Sequence, residues 1–333
     1  MPTSRFSEYH ARMTRGKDHR RIVLASPRGF CAGVVRAVDI VNLALETYGS
    51  PVYVRKEIVH NRYVVNELRA KGAIFVEELD EVPHGGRVIF SAHGVSPDVR
   101  RRAECRQLKV IDATCPLVTK VHYEAIKYAR EGYTIFLIGH QDHDEVIGTT
   151  GEAPAAIKLI ETKEDIENLE VTDAARVAYL TQTTLSLDDT RGIIQKLREK
   201  FPLASGPSSE DICYATQNRQ SAVLELAKKA RLILVVGSAN SSNSQRLVEV
   251  AETAGAKAYL IDDIKDIDPS WLEGIDVVGL TAGASAPETL VERVIGYLEG
   301  LGYPNVESLG NITEDVEFAL PVELSKDAQQ TRA

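Results

Sequence analysis

The chain reads as an α/β protein whose largely parallel sheets are divided among three similar small domains. From Arg21 onward, short apolar runs alternate with longer stretches in which apolar residues recur three and four positions apart. The same passage from strand to polar loop to helix, with a cysteine at or just before the helix start, occurs at Cys31, Cys115 and Cys213. The intervals between them are each close to the length of one small α/β domain. With 333 residues, 44% hydrophobic and 26% charged, the chain carries enough apolar material for two or three such cores.

In chain order, the apolar run at 22–25 predicts a strand and the spacing over 34–47 a helix. A strand at 52–54 and a helix at 62–70 follow. Strands are then expected at 88–90 and 109–111, separated by the charged helical stretch 98–108, and the next helix covers 117–130. The runs at 134–138 and 178–180 predict strands, followed by helices at 190–201 and 215–230. Strands at 232–236, 258–261 and 277–280 alternate with helices at 244–254 and 287–298. These assignments divide the chain into an N-terminal extension, 1–20, and domains at 21–115, 116–209 and 210–322, with a frayed tail at 323–333. The Gly/Pro/Ser-rich segment 203–209 marks the second boundary. The initial strand and the Cys31 loop are expected to pack near the third domain.

Composition narrows the function classes. A net charge of −9 argues against a nucleic-acid backbone as the main partner. Apolar runs such as 232–236 are far shorter than the roughly 20 residues that span a bilayer, so no membrane anchor is expected. Four cysteines without a CxxC pair suit neither a secreted disulfide scaffold nor a zinc ribbon, and place the chain in a reducing cytoplasm. The basic N-terminus lacks the apolar stretch of a secretory signal.

A cysteine at a helix N-terminus meets the positive end of the dipole and unpaired backbone N–H groups, which favour its thiolate. Any one such cysteine is better explained as a small buried hydrophobe. Three in one context suggest a shared soft metal, either zinc or an iron–sulfur cluster. Three protein ligands leave a position open for substrate, the catalytic arrangement. Cys105 follows three arginines within the charged helix and is not counted as a ligand.

Polar residues gather where strands end, which is where parallel α/β sheets bind ligands. They include Ser91-Ala92-His93-Gly94, the segment from Gly139 to Glu145, the run Ser238 to Ser244, and Thr281 to Pro287. Hydroxyl, amide and backbone N–H donors at a helix start make an anion cradle, although a single Ser or Asn there is only an N-cap. With no Walker A and no GxGxxG, a small phosphate or diphosphate is the expected anion. His60, His93 and His143 are placed to give it charge-assisted bonds, and Glu145 to transfer protons.

The motifs at 26–34 (Ser-Pro-Arg-Gly-Phe-Cys-Ala-Gly-Val), 57–61 (Glu-Ile-Val-His-Asn), 91–95, 112–118, 181–186 and 211–216 together resemble the hydroxymethylbutenyl diphosphate reductase (LytB) family over about 21–322. The resemblance implies a trefoil of three α/β domains around a central cleft, with an oxygen-sensitive [4Fe-4S] cluster held by Cys31, Cys115 and Cys213. It implies that His60, His93, His143, Ser241, Ser242, Asn243 and Ser285 bind the diphosphate, and that Thr183 and Glu145, with His143, orient the hydroxyl and relay protons. The implied reaction is the reductive removal of that hydroxyl from 4-hydroxy-3-methylbut-2-enyl diphosphate in isoprenoid biosynthesis. Electrons would come from a ferredoxin or flavodoxin, since no flavin or nicotinamide motif is present. The basic N-terminal extension and Cys105 have no counterpart in that pattern. Two other readings stand beside it: a zinc hydrolase of a phosphorylated small molecule with Glu145 as base, and a non-catalytic phosphate-binding protein with structural cysteines.

Overall fold

The computed structural model describes residues 19–310 and 312–332. The expected N-terminal extension lies almost wholly outside them. The described chain forms two compact units, one from the residues before Cys31 with Asn218–Asp315, the other from Cys31–Gln217 with the residues from Val316.

Every ladder among the described residues is parallel. In the first unit, β1 (Arg21–Ala25), β9 (Leu232–Val236), β10 (Lys257–Ile261), β11 (Val277–Ala282) and β12 (Asn305–Leu309) form a sheet of order β10-β9-β11-β1-β12. The second unit holds two sheets. β2 (Val52–Arg55), β3 (Ala73–Val76), β4 (Arg87–Phe90) and β5 (Lys109–Asp112) run in the order β3-β2-β4-β5. β6 (Thr134–Ile138), β7 (Ile157–Ile160) and β8 (Val177–Thr181) run in the order β7-β6-β8.

One local plan recurs in all three sheets. A strand is followed by a neighbour on one side and then by a neighbour on the other, as in β10-β9-β11, β3-β2-β4 and β7-β6-β8. The chain therefore reverses direction across each first strand, leaving a crevice at its carboxyl end. A further segment then pairs beyond the third strand. It is β1 in the first sheet and β5 in the second. In the third it is an isolated bridge of Ser205 to Ala178, with Tyr179 N–H donating to Ser205 O at 2.9 Å. Each of these fourth segments leads to one of the three cysteines. The repeat inferred from sequence is thus a repeat of topology.

Apolar periodicity builds the cores as expected. Val23, Val223, Leu226, Ile233 and Leu247 are buried together in the first unit. Phe136, Tyr179, Leu197, Phe201 and Ile212 form one cluster of the second, and Val121, Leu137 and Leu180 another. Each fully buried side chain of this size contributes about 1.5–3 kcal/mol.

Three strands lack a sequence signal. β3 and β7 are short, and β12 (Asn-Val-Glu-Ser-Leu) is an exposed edge strand whose polar residues hide its apolar ones. The helix Asp144–Glu152 is also missed, because two glycines and two threonines make it a poor intrinsic helix. The expected frayed tail is corrected: Val322–Arg332 is helical, Leu324 is 1% exposed, and Tyr48 Oη donates to Asp327 Oδ2 at 2.7 Å. Among the described residues, no helix is long and apolar enough to cross a membrane.

Candidate active site

Cys31 and Cys115 occupy the N-cap positions of the helices Ala32–Tyr48 and Pro116–Arg130, and neither is engaged as a side-chain cap. Cys213 precedes the helix Tyr214–Ala227, and its carbonyl accepts from Thr216 N and Gln217 N. Each cysteine loop is tied by backbone to the end of the adjacent strand. Cys115 N–H donates to Ala92 O at 2.9 Å, and Cys213 N–H to Thr183 O at 3.0 Å. In the first unit, Gly29 N–H donates to Ala282 O at 3.1 Å two residues before Cys31.

The expectation of thiolates at helix starts needs correction for two of the three. Burial pushes the Cys115 thiol up to about 12, with the neighbouring Cys31 and Cys213 adding to the shift, and backbone N–H groups of Leu117 and Val118 only partly oppose it. Burial and Cys31 push Cys213 up to about 11. Desolvation outweighs the helix end. All four cysteines are free, and Cys105 is exposed.

Glu145 lies in the first turn of the helix Asp144–Glu152 and is 2% exposed. Thr183 N–H donates to its Oε1 at 2.7 Å and the Thr183 hydroxyl to its Oε2 at 2.8 Å. Burial pushes its carboxyl up to about 7 despite those two bonds. Beside it, His143 caps the same helix, its Nδ1 accepting from Glu145 N–H at 3.2 Å. That bond assigns the proton of the neutral ring to Nε2.

His60 and His93 stack with centroids 3.9 Å apart, and His143 stands edge-on at 5.5 and 5.8 Å. Burial and the facing rings hold His93 well below the usual histidine range, and burial with His60 and His140 pushes His143 down to about 3. His93 and His143 are therefore neutral by themselves at pH 7, and toward an anion their N–H groups would act as dipoles before any proton is added. His60 and His93 with Asp144 form the one group of three metal-type donors within 4.8 Å of one another among the described residues. Two parallel stacked rings cannot both aim an in-plane lone pair at one ion, so this trio suits an anion better.

In the first unit, the loops after β9 and β11 flank that sheet's crevice and carry the hydroxyl groups. Ser241 caps the helix Ser242–Thr253, its Oγ accepting from Ser244 N–H at 3.3 Å, and the Ser285 hydroxyl lies 3.3 Å from it. Asn243 Oδ1 accepts from Ala284 N–H at 2.8 Å and so ties the two loops together. Ser242 is half-buried in the same first turn. The capping reading holds for Ser241, while Asn243 and Ser285 exceed what a cap requires. The second unit brings together the cysteines, the histidines, Glu145 and Thr183; the first brings together Ser241, Ser242, Asn243 and Ser285.

A family profile described as "LytB protein" matches residues 22–299. The chain belongs to the LytB family. It is 58% identical to a 4-hydroxy-3-methylbut-2-enyl diphosphate reductase of Acidothermus cellulolyticus, over 92% of this chain and 91% of that one. A reductase of the same name from Streptomyces coelicolor is 55% identical over 94% and 93% of the two chains. The solved structure of the E-1-hydroxy-2-methyl-but-2-enyl-4-diphosphate reductase from Plasmodium falciparum superposes with a TM-score of 0.91 at 39% identity, covering 94% of this chain and 99% of that one.

The LytB family implies a metal cofactor, and the cysteines fit a cluster better than a single ion. A Cβ added to Gly33 would fall 2.8 Å from Cys115 Sγ and 3.8 Å from Cys31 Sγ, so this glycine keeps the space beside both sulfurs clear. Thiolates on one zinc ion, bonded at about 2.3 Å, would sit within about 4 Å of each other. The three sulfurs are not gathered within 4.8 Å of one another. Replacement of Gly33 by Ala should leave the helix intact yet lower iron and labile sulfide per chain severalfold, measured anaerobically alongside circular dichroism. Native metal content in that variant would refute the cradle.

Several residues that shape the LytB site draw no individual role from the sequence, although Asp112 and Asp211 lie within its motifs. Lys120 Nζ bonds Asp211 Oδ1 at 2.8 Å, and Asp211 Oδ2 accepts from Thr181 N–H at 2.9 Å, fixing the segment before Cys213. Asp112 accepts from Thr114 N–H at 2.9 Å and shapes the turn before Cys115. Arg219, 0% exposed, is visible in the sequence only as a charge within a helical stretch.

Proposed function

We propose that the chain is a 4-hydroxy-3-methylbut-2-enyl diphosphate reductase. It replaces the allylic hydroxyl of its substrate with hydrogen, consuming two electrons and two protons and releasing one water, to give isopentenyl and dimethylallyl diphosphates. This is the last step of the non-mevalonate isoprenoid pathway. The observation that carries the reading is Glu145, a buried carboxyl poised near pH 7 and held by Thr183, whose carbonyl receives the Cys213 amide.

Cys31, Cys115 and Cys213 would hold a [4Fe-4S] cluster, which when bound supplies electrons and a Lewis-acidic iron without a protein ligand. The chain's own groups do the rest. His60, His93 and His143, with Ser241, Ser242, Asn243 and Ser285, bind the diphosphate. Glu145, protonated below about pH 7 by burial, holds a proton for the departing hydroxyl. Thr183 fixes the rotamer of Glu145 and orients the substrate hydroxyl. Burial of the carboxyl keeps bulk water from exchanging that proton freely.

With four free cysteines and no nicotinamide or flavin motif, the protein works in a reducing cytoplasm and receives electrons from a ferredoxin or flavodoxin. Anaerobic purification, iron and sulfide analysis, and turnover of the authentic diphosphate with a chemical reductant test the assignment. A colourless, iron-free protein would defeat it.

Asn243 allows a sharper test of the anion cradle. Asn243→Asp keeps the oxygen that accepts from Ala284 N–H, so the two loops stay tied. The new negative charge faces the anion site, and a lost charged hydrogen bond alone is worth about 1.5–3 kcal/mol. KM for the diphosphate should rise at least tenfold with cluster content unchanged. An unaltered KM would remove Asn243 from the substrate contacts.

A further inference from the structure

Three cationic side chains hold backbone carbonyls directly upstream of the three cysteines. Arg219 donates from Nε to Gly29 O at 3.0 Å and from Nη2 at 2.7 Å, reaching Phe30 O at 3.4 Å. Arg36 Nη1 donates to Thr114 O at 3.1 Å, one residue before Cys115. Lys120 Nζ donates to Ser209 O at 2.5 Å and Glu210 O at 3.3 Å, before Cys213.

Two of these charges are neutralised where they lie. Arg219 pairs with Glu314 at 3.0 Å, and Lys120 with Asp211 at 2.8 Å. Arg36 differs. Its Nε donates to the neutral carbonyl of Ala319 at 2.8 Å, and among the described residues it forms no ion pair. The acidic group that acts on it from nearby, Asp112, is itself bonded to Arg100 at 2.7 Å. Arg36 is half-buried, one turn into the helix that begins after Cys31, and its charge also acts on Cys115. A guanidinium stays protonated at any working pH, so this is a fixed positive charge in a site of reduced dielectric.

We propose that Arg36 is a redox-positioning residue: it holds the Thr114 carbonyl, and through it Cys115, while its uncompensated charge stabilises the added electron on a cluster bound by the cysteines. The inference rests on the reductase reading above. Net charge and hydrogen bonding around a cluster set its potential, and a nearby cation raises it.

The test uses the anaerobic holoenzyme and a spectroscopically monitored reductive titration. Arg36→Gln keeps a donor for the Thr114 carbonyl and removes the charge. It should assemble its cluster, yet at the native midpoint its reduced-to-oxidised ratio should fall about tenfold, equivalent to about 59 mV for one electron. Arg36→Lys should stay at the native midpoint. Ala319→Asp offers a second route, because it supplies a carboxylate to Arg36 without touching the clamp, and it should lower the midpoint in the same direction even if Arg36→Gln loads poorly. A native midpoint in both Arg36→Gln and Ala319→Asp, or an equal fall in Arg36→Lys, would overturn the proposal. Absence of iron and sulfide from the native protein would instead defeat the reductase reading itself.

Discussion

Glu145→Gln should lower turnover by about 10²–10⁴, the usual contribution of a positioned acid or base, while cluster content and substrate affinity stay near native. The amide keeps one oxygen to accept from Thr183 N–H, so the local geometry survives. What it lacks is the transferable proton. The native enzyme should also lose activity as pH rises through about 7, the point at which the buried carboxyl ionises. The linkage to stability has the same sign. Because the folded-state value lies above the ordinary 4.5, this group's contribution to stability is fully present below about 4.5 and is lost as pH rises through about 7. Glu145→Gln should flatten both dependences. Anaerobic steady-state reduction with an artificial donor, together with spectroscopic titration by substrate, decides the matter. Near-native turnover in the variant would assign the proton to His143 or to the diphosphate of the substrate.

The second large effect concerns the thiols. Cys31→Ser, Cys115→Ser and Cys213→Ser should each lose the cluster and all turnover, whereas Cys105→Ser should lose neither. Serine is itself a favoured N-cap, so the first two helices should start as well as before and the loss be one of metal binding and not of folding. Cys105 ends the helix Pro97–Cys105 with its side chain exposed, away from any such loop. Full iron and activity in any of the first three variants would break the ligand set, and an inactive Cys105→Ser would extend it.

Much of this was legible in the sequence because the informative features are local. Cys31 and Cys115 stand where a capping residue stands, and the paired motifs around His60, His93 and Glu145 follow strands whose apolar runs are easily recognised. What escaped was contextual. The helix carrying Glu145 forms through the His143 cap and the burial of Val146 and Thr149, neither of which propensity reveals. The protonation states also escaped, since the dipole argument for Cys115 and Cys213 gives a sign that burial reverses. The clamps on the cysteine loops bring together residues far apart in the chain, such as Arg36 with Ala319 and Arg219 with Gly29.

The three arms leading to the cysteines are not equally secured. β5, before Cys115, is zipped to β4 over four residue pairs, and β1, before Cys31, is paired on both sides. The segment before Cys213 has a single ladder bridge, at Ser205, and is otherwise held by isolated bonds: Lys120 on its carbonyls, Asp211 on Thr181 N–H and the Cys213 amide on Thr183 O. Local opening costs least where the fewest ladder bonds must break. In the metal-free protein this arm should breathe first, making it the doorway for assembly of the inorganic core and the point at which oxidative decay begins. Amide exchange at Ser205 should accordingly outpace that at Ile111, and metal loading should slow it. Equal protection of the two amides in the metal-free protein would close that doorway.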